Sequence, residues 1–167
     1  MATEKYKPVK RSEHIAALSR DHHAGLLFCW KIKEGLRKNV PLDKILKYIN
    51  FFWDGHLKEH FREEETLLFN QLDDGLGSRG RSEHLMIEER VHQLNHLGGE
   101  MTDEYFAFAE LLTKHIRFEE RILFPHLETA LSASVLRQAG DFLSGELHAA
   151  FTDNYPDEFW SKNYPSS

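Results

Sequence analysis

Apolar positions recur along the chain with the 3.6-residue period of an α-helix, and no stretch shows the alternation of a half-buried strand. Ser12 and Glu13, followed by a stripe of Ile15, Leu18, Cys29, Ile32 and Leu36, predict a first helix over about 12–38 that closes near Asn39 and Pro41. Pro41 suits the first turn of a second helix reaching about Leu72, and Asp73–Gly80 (DDGLGSRG) reads as a turn. A third helix is expected over about 81–97, stopping at Gly98 and Gly99, and a fourth over about 102–131. Ser132–Ala150 reads as a shorter fifth helix. Long helices with short connectors favour antiparallel neighbours, so the expected fold is all-α: an up-down-up-down four-helix bundle with an additional shorter C-terminal helix. The expected organisation is an N-terminal extension over 1–11, a bundle domain over 12–150 and a C-terminal tail over 151–167, either docked or disordered.

Superposed on this periodicity is an internal repeat. His60–Asn70 (HFREEETLLFN) and His115–Pro125 (HIRFEERILFP), 55 positions apart, agree at six of eleven places. Each block begins His-x-x-x-Glu. Residues four apart share one face of a helix, so His60 with Glu64 and His115 with Glu119 form two imidazole–carboxylate pairs, each aimed in one direction. The other two long helices offer a histidine at matching depth. His22 lies in the apolar stripe of the first and His84 extends the stripe Ile87, Val91, Leu94 of the third. His23, one step off the stripe, is the alternative to His22. An acid directly precedes both His22 and His84, so the pattern of a His helix followed by a His-x-x-x-Glu helix is used twice.

These residues, with the blocks HFREEETLLF and HIRFEERILFP, resemble the hemerythrin-like, or HHE cation-binding, domain over roughly 12–131. The resemblance implies a four-helix bundle holding a non-haem di-iron centre, with His22, His60, His84 and His115 as histidine ligands and Glu64 and Glu119 as carboxylates bridging two metals. Oxygen-carrying hemerythrins place a further His four residues after the one on the third helix and an Asp five after the one on the fourth. Glu88 and Glu120 stand there in this chain. The pattern is closer to the four-His, two-Glu sites of iron-sensing, nitric-oxide-responsive and cluster-repair relatives, although the Cys-bearing N-terminal segment of many repair proteins is missing.

The donor chemistry agrees with that resemblance. Imidazole and carboxylate without thiolate suit iron or manganese, with zinc a weaker fit because its structural sites are closed tetrahedra. Ferritin-like cages use Glu-x-x-His, the reverse order. Six protein ligands cannot fill the roughly twelve positions of two octahedral ions, so bridging oxide or hydroxide and an exchangeable position are expected. The single Cys29 excludes an internal disulfide, and the N-terminus lacks a signal-peptide core, which together point to the cytoplasm. The net charge of −6 with scattered Lys and Arg gives no nucleic-acid footprint, and no run is long enough to span a membrane.

Eleven histidines leave other candidates to place. Glu63 is read as a solvated or supporting acid and Glu88 as a ligand or a surface ion-pair partner. Glu65 and Glu120 are assigned to Arg or Lys. His56 and His126 are candidates for supporting or access-path groups, and His14, His92, His96 and His148 for the surface. Two function classes follow: a di-iron protein that binds O2 or NO or senses or stores iron, and an enzyme that consumes peroxide or NO or repairs iron-sulfur clusters. The sequence names no protein partner.

Overall fold

A computed structural model describes residues 10–97, 101–146, 148 and 150–165, and among these the chain is helical with no strand. The elements are α1 (Ala16–Arg37), α2 (Leu42–Phe52), α3 (Lys58–Leu67), α4 (Gly75–Leu97), α5 (Thr102–Phe118), α6 (Phe124–Ala130) and α7 (Ala133–Leu143). A π-helical turn, Trp53–Leu57, joins α2 to α3, and another, Glu119–Leu123, joins α5 to α6. The second and fourth expected helices therefore each exist as one rod containing a wide turn. In the fourth, the Phe124 N–H bonds to the carbonyl of Glu119, five residues back. Pro125 directly follows, and its missing N–H removes a bond that a regular α-helix would require.

Helix α1 ends where Asn39 adopts φ 56°, a left-handed conformation that Asn tolerates, while the N–H groups of Asn39 and Val40 bond to the carbonyls of Leu36 and Gly35. The expected turn over Asp73–Gly80 is corrected: α4 already begins at Gly75. The Asp74 carboxylate accepts from the Gly77 N–H at 2.9 Å, capping the helix, and Gly80 lies so close to Leu123 and Phe69 that an added Cβ would meet them at 2.9 Å. Gly80 thus serves close packing rather than chain reversal. The expected stop at Gly98 and Gly99 lies outside the described residues, as do most of the N-terminal extension and positions 147 and 149 of the expected fifth helix, which here ends at Leu143.

Two apolar clusters form the core. One gathers Phe28, Tyr48, Phe52, Ile87 and Phe108, and the other Ile15, Leu18, Phe69, Leu123, Phe124 and Leu136. On each long helix the polar candidates fall between them: His22 separates Leu18 from Phe28, and His60 separates Leu57 from Leu68. The segment after α7 is docked, with Phe159 fully buried against the first cluster and meeting Gly35, where a Cβ would approach its ring to 2.7 Å. Asp153 fastens it, taking a 2.7 Å ion pair from buried Lys31 and a hydrogen bond from the Tyr48 hydroxyl. No helix among the described residues is long and apolar enough to cross a membrane.

Because Phe159 has no exposed surface, Phe159→Ala removes a whole ring from a filled core. It is expected to destabilise the chain by about 3 kcal/mol, read as a reduced urea midpoint.

Candidate metal centre

Each of the six side chains singled out by the repeat is buried, with no more than 4% exposure. They form two groups of four: His22, His60, Glu64 and Glu119, and His84, His115, Glu64 and Glu119, the donor atoms within each lying within 4.8 Å of one another. Both glutamates belong to both groups. Glu64 turns Oε1 to the Nε2 of His60 (2.7 Å) and of His22 (3.2 Å), and Oε2 to the Nε2 of His84 (3.1 Å). Glu119 mirrors it, with Oε1 facing the Nε2 of His115 (2.9 Å) and His84 (3.2 Å), and Oε2 facing His22 (2.9 Å). His23 is exposed, so the choice of His22 over its neighbour agrees with the fold. Glu88 is half-buried and joins neither group.

Distances this short between buried groups ordinarily signal hydrogen bonds. Here the Nε2 atoms of His60 and His115 and the Oε2 atoms of Glu64 and Glu119 are buried without a hydrogen-bond partner, because the angles are wrong. Only His22 and His84 use Nε2 in a hydrogen bond, to Glu64 Oε1 and Glu119 Oε1 at 3.2 Å each. Adjacent donors about 2.1 Å from an octahedral ion sit roughly 3 Å apart, so this donor set fits a pair of shared cations better than it fits a hydrogen-bond network.

The outer face of every ring is also held. Nδ1 of His22 donates to Glu120 (2.7 Å), that of His84 to Glu65 (2.8 Å), and those of His60 and His115 to Asp21 (3.3 Å) and Glu83 (3.4 Å). The pairing is cyclic: Asp21 on α1 holds His60 on α3, Glu65 on α3 holds His84 on α4, Glu83 on α4 holds His115 on α5, and Glu120 just beyond α5 holds His22 on α1. An acid on the second nitrogen fixes the tautomer and ring orientation of a metal-binding histidine. The assignment of Glu65 to Arg or Lys is thereby corrected, and Glu120 meets both Arg11 (3.0 Å) and His22. The repeat contained the signal, since Glu65 and Glu120 are one of its six matches. Its Leu-Phe match acts here too: Phe69 stacks on His84 and Phe124 on His22.

Three further residues differ from expectation. Glu63 is not solvated but buried, receiving the His148 Nδ1 on both oxygens at 3.0 and 3.1 Å, which also takes His148 off the free surface. Its repeat counterpart Phe118 is buried under the Arg79 guanidinium, 3.8 Å from the ring centre. His56 is buried beside the centre, whereas His126 pairs with Asp74 at 2.6 Å away from it. A cavity of about 220 Å³, lined by Asp21, His56, Glu59, His60, Glu63 and His148, leads from exposed Glu59 to the His60 ring.

Without metal, burial pushes the four rings toward neutrality, but the facing carboxylates outweigh it. His22 and His84 stand well above the ordinary imidazole value, His115 is raised, and His60 reaches about 9. Burial likewise opposes ionisation of Glu64 and Glu119, yet the surrounding histidines hold both below the carboxylate range. Glu120, against burial, is drawn to about 2 by His22, Ser19 and Arg11. His56 moves the other way, lowered by burial and by His60 to about 4.

The model of the hemerythrin HHE cation-binding domain matches residues 13–127. No curated protein and no solved structure gives a significant match.

The signs of these shifts set a pH profile for the metal-free chain. Raised histidines contribute stability that is complete below 6.5 and lost as pH climbs through the folded value, about 9 for His60. Lowered glutamates contribute stability present above 4.5 and lost as pH falls. Melting temperatures of chelated protein should therefore peak between those limits and decline on both sides. In metal-loaded protein the alkaline decline should be absent, because the ions hold the rings deprotonated.

Proposed function

The chain belongs to the hemerythrin HHE cation-binding family, and from that premise we propose that it is a non-haem di-iron protein. In this reading His22 and His60 would hold one iron and His84 and His115 the other, with Glu64 and Glu119, which belong to both groups, shared between them. The observation that carries it is the set of buried, mutually close Nε2 and Oε atoms, four of which (Nε2 of His60 and His115, Oε2 of Glu64 and Glu119) have no hydrogen-bond partner. The helix contacts fit an up-down-up-down bundle with α7 added. Bound iron with open coordination positions supplies attachment of a diatomic ligand and one-electron exchange. The chain's own residues orient and insulate: the carboxylate ring fixes each imidazole, and Phe61, stacked on His84 at 3.9 Å, with Phe69 and Phe124, excludes water.

The role this supports is sensing or storing iron, or responding to O2 or NO, in the cytoplasm, rather than bulk oxygen transport. Glu88, which stands where oxygen carriers have an additional histidine, joins neither ligand group among the described residues. An enzyme that consumes peroxide or NO is the second reading. The polar cavity running to His60 favours it, since its His56, Asp21 and Glu59 are able to pass protons toward the centre.

Metal analysis after iron loading should find two ions per chain. Glu64→Ala is expected to lose most of both, because Glu64 belongs to both groups, whereas Glu65→Ala should retain the ions with affinity reduced about 10- to 100-fold. The opposite ranking would assign the ligands wrongly. Anaerobic optical titration of reduced protein should show reaction with O2 and NO but no O2 adduct that survives repeated release under vacuum. Multiple turnovers of peroxide or NO, lost in His115→Ala, would favour the enzyme.

A further inference from the structure

Outside the six central residues lies a third convergence of donors. Asp21, Glu63 and His148 each present a ligating atom within 4.8 Å of the others, on the wall of the cavity that reaches His60. Its members come from α1, α3 and the segment after α7. The Glu63 carboxylate, 3% exposed, is buried at this wall, where it accepts from His148 Nδ1, and their 3.0 Å separation is also one that adjacent donors on one ion take. The same cavity is lined by His56, 6% exposed, whose Nε2 is buried without a partner. Its ring lies 5.7 Å from that of His60 and is stacked on Phe151 at 4.5 Å. A buried imidazole with an unpartnered nitrogen is costly unless something comes to fill it.

We propose that Asp21, Glu63 and His148 form a divalent-cation site at the mouth of this cavity, and that it passes ions through His56 to the central pair. Two carboxylates and one imidazole suit a hydrated transition ion such as Fe2+ or Mn2+, and three protein donors leave water on the remaining positions, so the ion is held loosely enough to move on. Exposed Glu59 extends the negative charge outward and draws cations in. His56 lines the same cavity as the outer group and His60, and its unpartnered Nε2 offers a further donor there. Asp21 joins the two levels, since the carboxylate on the cavity wall is also the one that holds His60. The transfer role rests on the di-iron reading above. The outer site itself rests on the cavity.

The rival account is a structural clasp, in which Glu63 and His148 only fasten the C-terminal segment over the cavity. The two accounts differ in sign. Breaking a clasp opens the path and speeds loading, whereas removing a cation station slows it. Metal-free full-length protein and the variants Glu63→Gln and His148→Gln, which keep hydrogen-bonding groups, are mixed anaerobically with Co2+, and the visible absorption of the buried ions is followed in time. Bound Mn2+ is counted separately from the loss of the free-ion electron paramagnetic resonance signal. The expected result is three Mn2+ per wild-type chain and two in each variant, with Co2+ loading at least tenfold slower in both variants and the final absorption unchanged. Two Mn2+ in all three proteins, or loading in the variants as fast as wild type or faster, overturns the proposal. Should one variant fail to fold, the other decides, because they act from different segments. Failure of the di-iron reading is distinguishable: it shows as no tightly held ion in the wild-type chain, before any variant is compared.

Discussion

The structure turns on the cost of burying charge. Two carboxylates and four imidazoles lie where almost no water reaches them, and a buried ion without compensation is destabilising by several kcal/mol. The chain meets this in two interchangeable ways. In the metal-free state the facing carboxylates raise the pKa values of the rings and so favour their protonated forms, which offset the charge of the glutamates in place. Two dications replacing four ring protons would leave the charge of the pocket unchanged. The same cage is thus compatible with both states without refolding, and the apolar clusters on either side can be fixed around it.

Most of the centre was legible in the sequence because two periodicities coincide. Helical spacing aims His60 and Glu64 the same way, and the repeat demands that His115 and Glu119 do likewise, which leaves few partners on the intervening helices. The helical class was legible for the same reason. The outer ring of acids was visible as letters but not as contacts: Asp21 and Glu83 precede a histidine in sequence, yet each holds the histidine of the next helix. Sequence adjacency on a helix points neighbouring side chains about 100° apart, so an acid beside a ligand is placed to reach across rather than to its neighbour.

What remained illegible depended on packing between distant segments. The glycines before Arg81 read as a turn by composition, and only the approach of Phe69 and Leu123 shows why the helix carries a glycine at position 80. The π-helical turn at Glu119 has no signature beyond Pro125. Glu63 read as a solvated or supporting acid because its repeat counterpart is apolar, and its partner His148 lies 85 positions away.

That mismatch between Glu63 and Phe118 has a meaning of its own. The ligand cage is close to two-fold symmetric, and a symmetric cage would make its two halves interchangeable. One half carries a buried acid on an open polar cavity, and the other carries a phenyl ring capped by Arg79. Where the ligand positions of the two blocks agree, this one of their five differing positions gives the centre a front and a back: the repeat supplies the pair, and its departure at Glu63 and Phe118 makes the two members distinguishable to anything arriving from solvent.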